Sequence, residues 1–127
     1  MEQDLQHQAQ QAVDLAKQSG ADDAIASVRD DNSTEYTYRD GQIEEVKQNA
    51  SRGLSLQLYV DGRYSTHQTT DLRPETMTQF VAEAVALTKH LSQDPFRRIP
   101  DPLLYENRST LDLKKNDPIV RDLPREV

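Results

Sequence analysis

The chain contains no cysteine and no tryptophan, only two phenylalanines and only four glycines in 127 residues. Without cysteine there can be no disulfide, thiolate metal site or cysteine nucleophile, and the absence suits a reducing compartment. Aromatic residues make up 6% and hydrophobic residues 35% of the chain, so any core must be thin and mostly aliphatic. One domain of this length buries roughly two thirds of its unfolded surface, enough for one such core. No apolar run approaches the roughly 20 residues that a membrane helix needs. The amino terminus, MEQDLQHQAQ, has neither a basic start nor an apolar stretch, so no secretory signal is visible. Basic residues are also short, 15 against 22 acidic, for a formal charge of −7. That balance repels phosphate backbones and speaks against nucleic acid as a partner. The only adjacent basic pairs, Arg97-Arg98 and Lys114-Lys115, read as solvated surface.

Catalytic patterns are missing as well. GxxxxGK[ST], GxGxxG, GxSxG, HExxH and the DxDxDG calcium loop are all absent. The histidines His7, His67 and His90 share no short motif and read as surface or capping residues. His67 is the most interesting, because a strand can present it rigidly. The pairs Asp22-Asp23, Asp30-Asp31 and Glu44-Glu45 are neighbours in sequence. On a strand such neighbours point to opposite faces, so they cannot share a proton as an acid–base dyad. Ser33, Ser51, Ser55 and Ser65 have no base beside them in the sequence. No catalytic or metal-binding residue is therefore assigned, and substrate-binding residues stay unassigned.

What the chain does have is punctuation. Asp40-Gly41 and Asp61-Gly62 are strong tight-turn signals, since both central positions accept positive φ. Between them LSLQLYV (54–60) alternates, with Leu54, Leu56, Leu58 and Val60 on one side, and predicts a half-buried strand. RYSTHQTT (63–70) runs back, and its polar positions at 65–70 could line a groove. Upstream, AIASVR (24–29) and TEYTYR (34–39) predict strands separated by turn chemistry at Asp30-Asp31-Asn32-Ser33. QIEEVKQNA (42–50) is expected as the return strand. Ile43 and Val46 are three apart there, which a β-bulge would reconcile, although a helix fits that segment too. Gly53 is expected to ease a bend or a close approach.

Helical spacing of Leu5, Ala9, Ala12, Val13 and Ala16 predicts a helix over 4–19, stopped by Gly20. A second helix over 74–91 starts at Pro74 and carries a stripe of Met77, Phe80, Val81, Ala84, Val85 and Thr88, expected to cover the leucine face. Glu75 suits the start of its dipole, and Lys89 and His90 the end. Beyond Asp94 five prolines (95, 100, 102, 118 and 124) predict an extended connector with small apolar anchors: Phe96, Ile99, Leu103, Leu104, Leu111 and Leu113. The expected fold is α+β, an antiparallel β-meander flanked by two helices. Residues 1–93 form the domain, and residues 94–127 a Pro-rich connector towards a further C-terminal domain.

The ordered series GAD (20–22), DGQIEEV (40–46), SRGLSLQLYVDGRYSTHQTTDL (51–72), a PE-initiated helix, DPFRRIPDP (94–102) and LDLKKNDP (111–118) resembles the N-terminal domain of the TldD/PmbA proteins. These are also called modulators of DNA gyrase or U62 peptidases. The match runs from about residue 9 to about 119, and its later motifs are closer to the PmbA branch. The resemblance implies a cytoplasmic, zinc-dependent peptidase of paired TldD-like and PmbA-like subunits acting on unfolded or flexible peptides. The zinc would sit in the C-terminal domain of the TldD-type subunit, and no ligand for it maps onto this chain. Whether this chain is itself an enzyme is thus left open. The implied role is a non-catalytic, substrate-enclosing and assembly domain. The alternative is a free-standing protein- or peptide-binding module whose free sheet edge could accept an extended peptide.

Overall fold

The computed structural model describes residues 2–115, 117–121 and 123; Pro124 and the rest of the expected connector's end lie outside them. The chain runs α1 (Glu2–Gln18), β1 (Asp23–Arg39), β2 (Gln42–Val60), β3 (Arg63–Thr69), α2 (Pro74–Thr88), a 3-10 turn at Pro102–Tyr105 and a short α3 (Pro118–Arg121). The strands form one antiparallel sheet in the order β1-β2-β3. The expected α+β meander is therefore what folds, with α1 and α2 side by side on one face of it.

Both Asp-Gly pairs make two-residue turns. Asp40 and Gly41 have φ of 54° and 75°, and Asp61 and Gly62 have 48° and 72°. Positive φ at both positions gives the turn twist that matches the strands it joins. Gly20, at φ 109°, ends α1 as expected.

The core is the alternating run of β2. Leu54, Leu56 and Leu58 are completely or almost completely buried, and Ala12, Ala16, Met77, Val81, Ala84 and Val85 meet them from the two helices. Burying each leucine contributes about 1.5–3 kcal/mol. Small residues on α1 let it lie close to the sheet, and α2 begins at Pro74, where a missing N–H costs nothing.

Three expectations need correction. Residues 30–33 are not a turn: β1 is unbroken, because β2 pairs with it through all of Asp30–Ser33. Ladder hydrogen bonds outweigh the local preference of Asp, Asn and Ser for turns. Likewise 42–50 and 54–60 are one strand, and Gly53 between them makes no close approach, since a Cβ there would sit 3.7 Å from the Thr69 carbonyl oxygen, ordinary contact. The expected bulge is real. The register shifts between Thr37 and Tyr38, so Thr37 faces Glu45 but Tyr38 faces Ile43, with Glu44 surplus. Ile43 and Val46 thereby reach the same face as Tyr36 and Tyr38.

Of the expected tail anchors Ile99 is half-buried, but the other five do not hold the tail to the sheet. Phe96 is 91% exposed, and Leu103, Leu104, Leu111 and Leu113 also stand in solvent. Pro-rich extended backbone has no ladder or helix with which to press them onto the sheet.

Candidate functional site

A cluster of chemically capable side chains joins β3 to α2. Pairing of Leu58 with Ser65 and of Leu56 with His67 puts Ser65 and His67 on the leucine face, towards α2. The polar run 65–70 is thus split between the two faces and lines no single groove. His67 Nε2 lies 2.9 Å from Ser65 Oγ. Ser65 Oγ contacts Thr88 Oγ1, and Thr88 Oγ1 donates to the Ala84 carbonyl at 2.7 Å. The His67 ring meets Phe80 edge-on, with centroids 6.4 Å apart.

Counting hydrogens fixes the direction of this chain. Thr88 has one hydroxyl hydrogen and gives it to Ala84. Ser65 must then donate to Thr88, and its oxygen must accept from His67 Nε2–H. A serine activated as a nucleophile needs the reverse, an imidazole nitrogen that accepts its proton. This arrangement clamps a strand to a helix and leaves Ser65 without a base. Burial pushes the His67 pKa below its usual 6.5, because the charged ring would lose water without gaining an anion. Sequence reasoning singled out His67 but could not pair it with Ser65 and Thr88, since Thr88 lies on the helix stripe 23 residues beyond Ser65.

His7 and His90 are exposed and take no part in this cluster. Of the acidic pairs, Asp22 accepts the Asp61 N–H at 2.6 Å and braces the second turn, whereas Asp30 bonds Arg52 at 2.8 Å. Among the described residues no three His, Cys, Asp or Glu side chains are grouped so as to hold a metal ion. None of the described helices is long and apolar enough to cross a membrane.

The second turn organises the segment beyond α2. Arg63 donates to the Leu91 carbonyl at 2.8 Å, Gln93 to the Asp61 carbonyl at 3.0 Å, and the Asp94 N–H to the Gly62 carbonyl at 2.6 Å. The Arg97 guanidinium then lies 4.6 Å from the centre of the Tyr64 ring, itself packed on Tyr59, so this arginine is a stacked group as well as a solvated one. The tail thus starts across the open face of the sheet. Beside the start of β1 it leaves a wide cleft of about 1090 Å³, lined by Asp23, Ile25, Ile99, Leu104, Tyr105 and Arg108 among others. No reactive group converges there.

A meander with both helices on one face, a polar clamp between β3 and α2 and an outer hairpin left bare together define an α+β module. The chain belongs to the PmbA/TldA metallopeptidase domain 1 family, whose model matches residues 24–88, the sheet and α2. It is 29% identical over 112 residues to the metalloprotease PmbA of Escherichia coli O157:H7, covering 86% of this chain and 24% of that protein. A crystal structure from Bacteroides thetaiotaomicron VPI-5482, described as a modulator of DNA gyrase, is 31% identical with a TM-score of 0.82. The match covers 94% of this chain and 27% of that one. TldE from Thermococcus kodakarensis shares the fold at 14% identity and a TM-score of 0.61, covering 75% of this chain and 22% of its own. The chain therefore spans about a quarter of the length of these relatives.

Proposed function

We propose that this chain is a non-catalytic domain of a PmbA/TldD-type metallopeptidase, helping to enclose flexible peptide substrates and to assemble subunits in the cytoplasm. Residues 94–127 act as its connector towards a further domain. The observation that carries this reading is the match to the first domain of the metallopeptidase family across the sheet and α2, in a chain about a quarter as long as its relatives. The proton order at His67 supports it, because Ser65, the serine that contacts this histidine, is held as a hydrogen-bond donor to Thr88. In this reading the zinc belongs to the C-terminal domain of a TldD-type subunit, and the partners are TldD-like or PmbA-like subunits.

Co-expression with a PmbA/TldD-family subunit tests the proposal. The chain is expected to co-purify with it and to cleave no unfolded peptide by itself. Chelator-sensitive cleavage of casein by the isolated, zinc-loaded chain would sink the non-catalytic role, and failure to co-purify would sink the assembly role. The second reading, a free-standing peptide-binding module, is favoured by β1 and β3, both edge strands of the sheet. It gains if the lone chain binds extended peptides and loses if proline substitutions along those edges leave that binding unchanged.

A further inference from the structure

Past the Asp30–Arg52 pair the β1–β2 hairpin continues as a bare arm. The sheet's third strand pairs only with Leu54–Val60, so the outer rungs are a two-stranded ribbon. All of β2 from Gln42 to Arg52 is exposed. An isolated two-stranded hairpin is marginal in water, so a ribbon of this kind gains by being covered. One face of the arm has an unusual composition. From Asn32 to Tyr38 on β1, and across the ladder from Ala50 to Ile43 on β2, its paired side chains are uncharged, in a chain that is 29% charged. Tyr36, Tyr38, Ile43 and Val46 make its outer part apolar. The ion pair Asp30–Arg52 (2.8 Å) closes the strip at its base, while Arg39, paired with Glu44 at 3.3 Å, alternates onto the reverse face beyond Tyr38. On the reverse face, Arg29–Asp31 and Lys47–Glu45 neutralise each other at 3.4 and 3.5 Å.

Size decides between occupants. At about 3.3 Å per residue and about 4.8 Å between strands, the strip is roughly 20 by 10 Å, a footprint of about 200 Å². Two copies laid strip on strip would stay well under the roughly 1,000 Å² that a specific interface needs. A larger partner that covers both faces of the arm reaches that area. The relatives are about four times as long as this chain, so their subunits carry ample surface outside this domain. We propose that the arm, residues 29–52, is a docking element between subunits: it seats the neutral Tyr36–Tyr38–Ile43–Val46 strip in an uncharged apolar cleft of a neighbouring PmbA/TldD-family subunit. This proposal rests on the assembly role proposed above and names its contact surface.

The test uses the full chain with purified metalloprotease PmbA of E. coli O157:H7 as the probe. Four proteins are compared: the unsubstituted chain, Ile43→Lys, Val46→Lys, and Ala82→Lys on the exposed side of α2 as a control. Binding is read by sedimentation, and amide hydrogen exchange over 32–50 is followed with and without the probe. The expected result is binding weakened at least about tenfold by either arm substitution, unchanged in the control, with exchange over 32–50 slowed in the complex. Photo-crosslinking from a benzoylphenylalanine replacing Tyr36 reports the contact without adding charge and is expected to label PmbA. A complex that tolerates both lysines, or one that leaves arm exchange and crosslinking unaffected, overturns the arm's role while the assembly role stands. No complex with the unsubstituted chain overturns both. A dimer of the chain alone that Val46→Lys dissolves assigns the strip to a second copy and overturns the choice of a larger subunit.

Discussion

The β1–β2 hairpin is one ladder with two fates. Its inner half, from Ala24 to Val28 opposite Leu54 to Leu58, lies under two helices and supplies the buried core. Its outer half, from Asp30 onward, has the same strands and nearly the same pairing but covers nothing. The leucine face runs from apolar through three polar rungs (Asp30/Arg52, Asn32/Ala50, Thr34/Gln48) to apolar again at Tyr36/Val46. Eight residues separate Val28 from Tyr36, so the second apolar zone stands about 26 Å from the first. Strand formation and burial are thus separable: pairing alone carries the ladder outward, while stability concentrates where the helices press on it.

The contrast can be broken at several points. The largest effect is expected from Leu56→Ala, which opens a cavity in the inner half and should cost about 2–5 kcal/mol in denaturant unfolding. Val46→Ala in the outer half should stay within about 0.5 kcal/mol; equal losses at the two sites would erase the distinction. Thr88→Val, which removes the acceptor for Ser65 and strands a half-buried hydroxyl, should cost about 1–3 kcal/mol.

The His67 clamp adds a pH dependence to the inner half. Its folded pKa is lowered, so the unfolded chain binds a proton more readily. This contribution to stability is therefore present above about pH 6.5 and is lost as pH falls from there through the folded pKa. His67→Gln should flatten that part of a melting-temperature profile, and an NMR titration of His67 with a midpoint at or above 6.5 would contradict the burial argument. The smallest effect belongs to Asp71, just before α2. Hydrogen bonds from Arg73 hold its carboxyl down to about 2. The depressed value means stability present above about pH 4 and lost as pH falls towards 2. Because the group is exposed, Asp71→Asn should barely move the unfolding midpoint at neutral pH while removing that acid-range titration from an NMR profile.

What could be read from the sequence was what local chemistry dictates. The two Asp-Gly turns, the alternation of Leu54–Val60, the stripe ending at Thr88 and the stop at Gly20 each depend on a few neighbouring residues. The bulge was half legible: the three-residue spacing of Ile43 and Val46 asked for one in a strand but fitted a helix as well, and only the pairing with β1 decides between them. Residues 30–33 misled because their turn preference is local, whereas the ladder that overrides it pairs them with residues 49–52. The same holds for the Ser65–His67–Thr88 chain, which exists only once β3 lies against α2. Tail residues such as Phe96 and Leu104 looked like anchors because hydrophobicity is visible in sequence, while whether anything lies opposite is not.

The surplus Glu44 has a consequence of its own. Side chains along a strand alternate like steps left and right, and at Glu44 the chain marks time for one step. Were Glu44 to take an ordinary step instead, Ile43 and Val46 would land on opposite sides, and the hairpin's end would have no greasy side and no wet side. A single amino acid thus sets which way the far end of this protein looks.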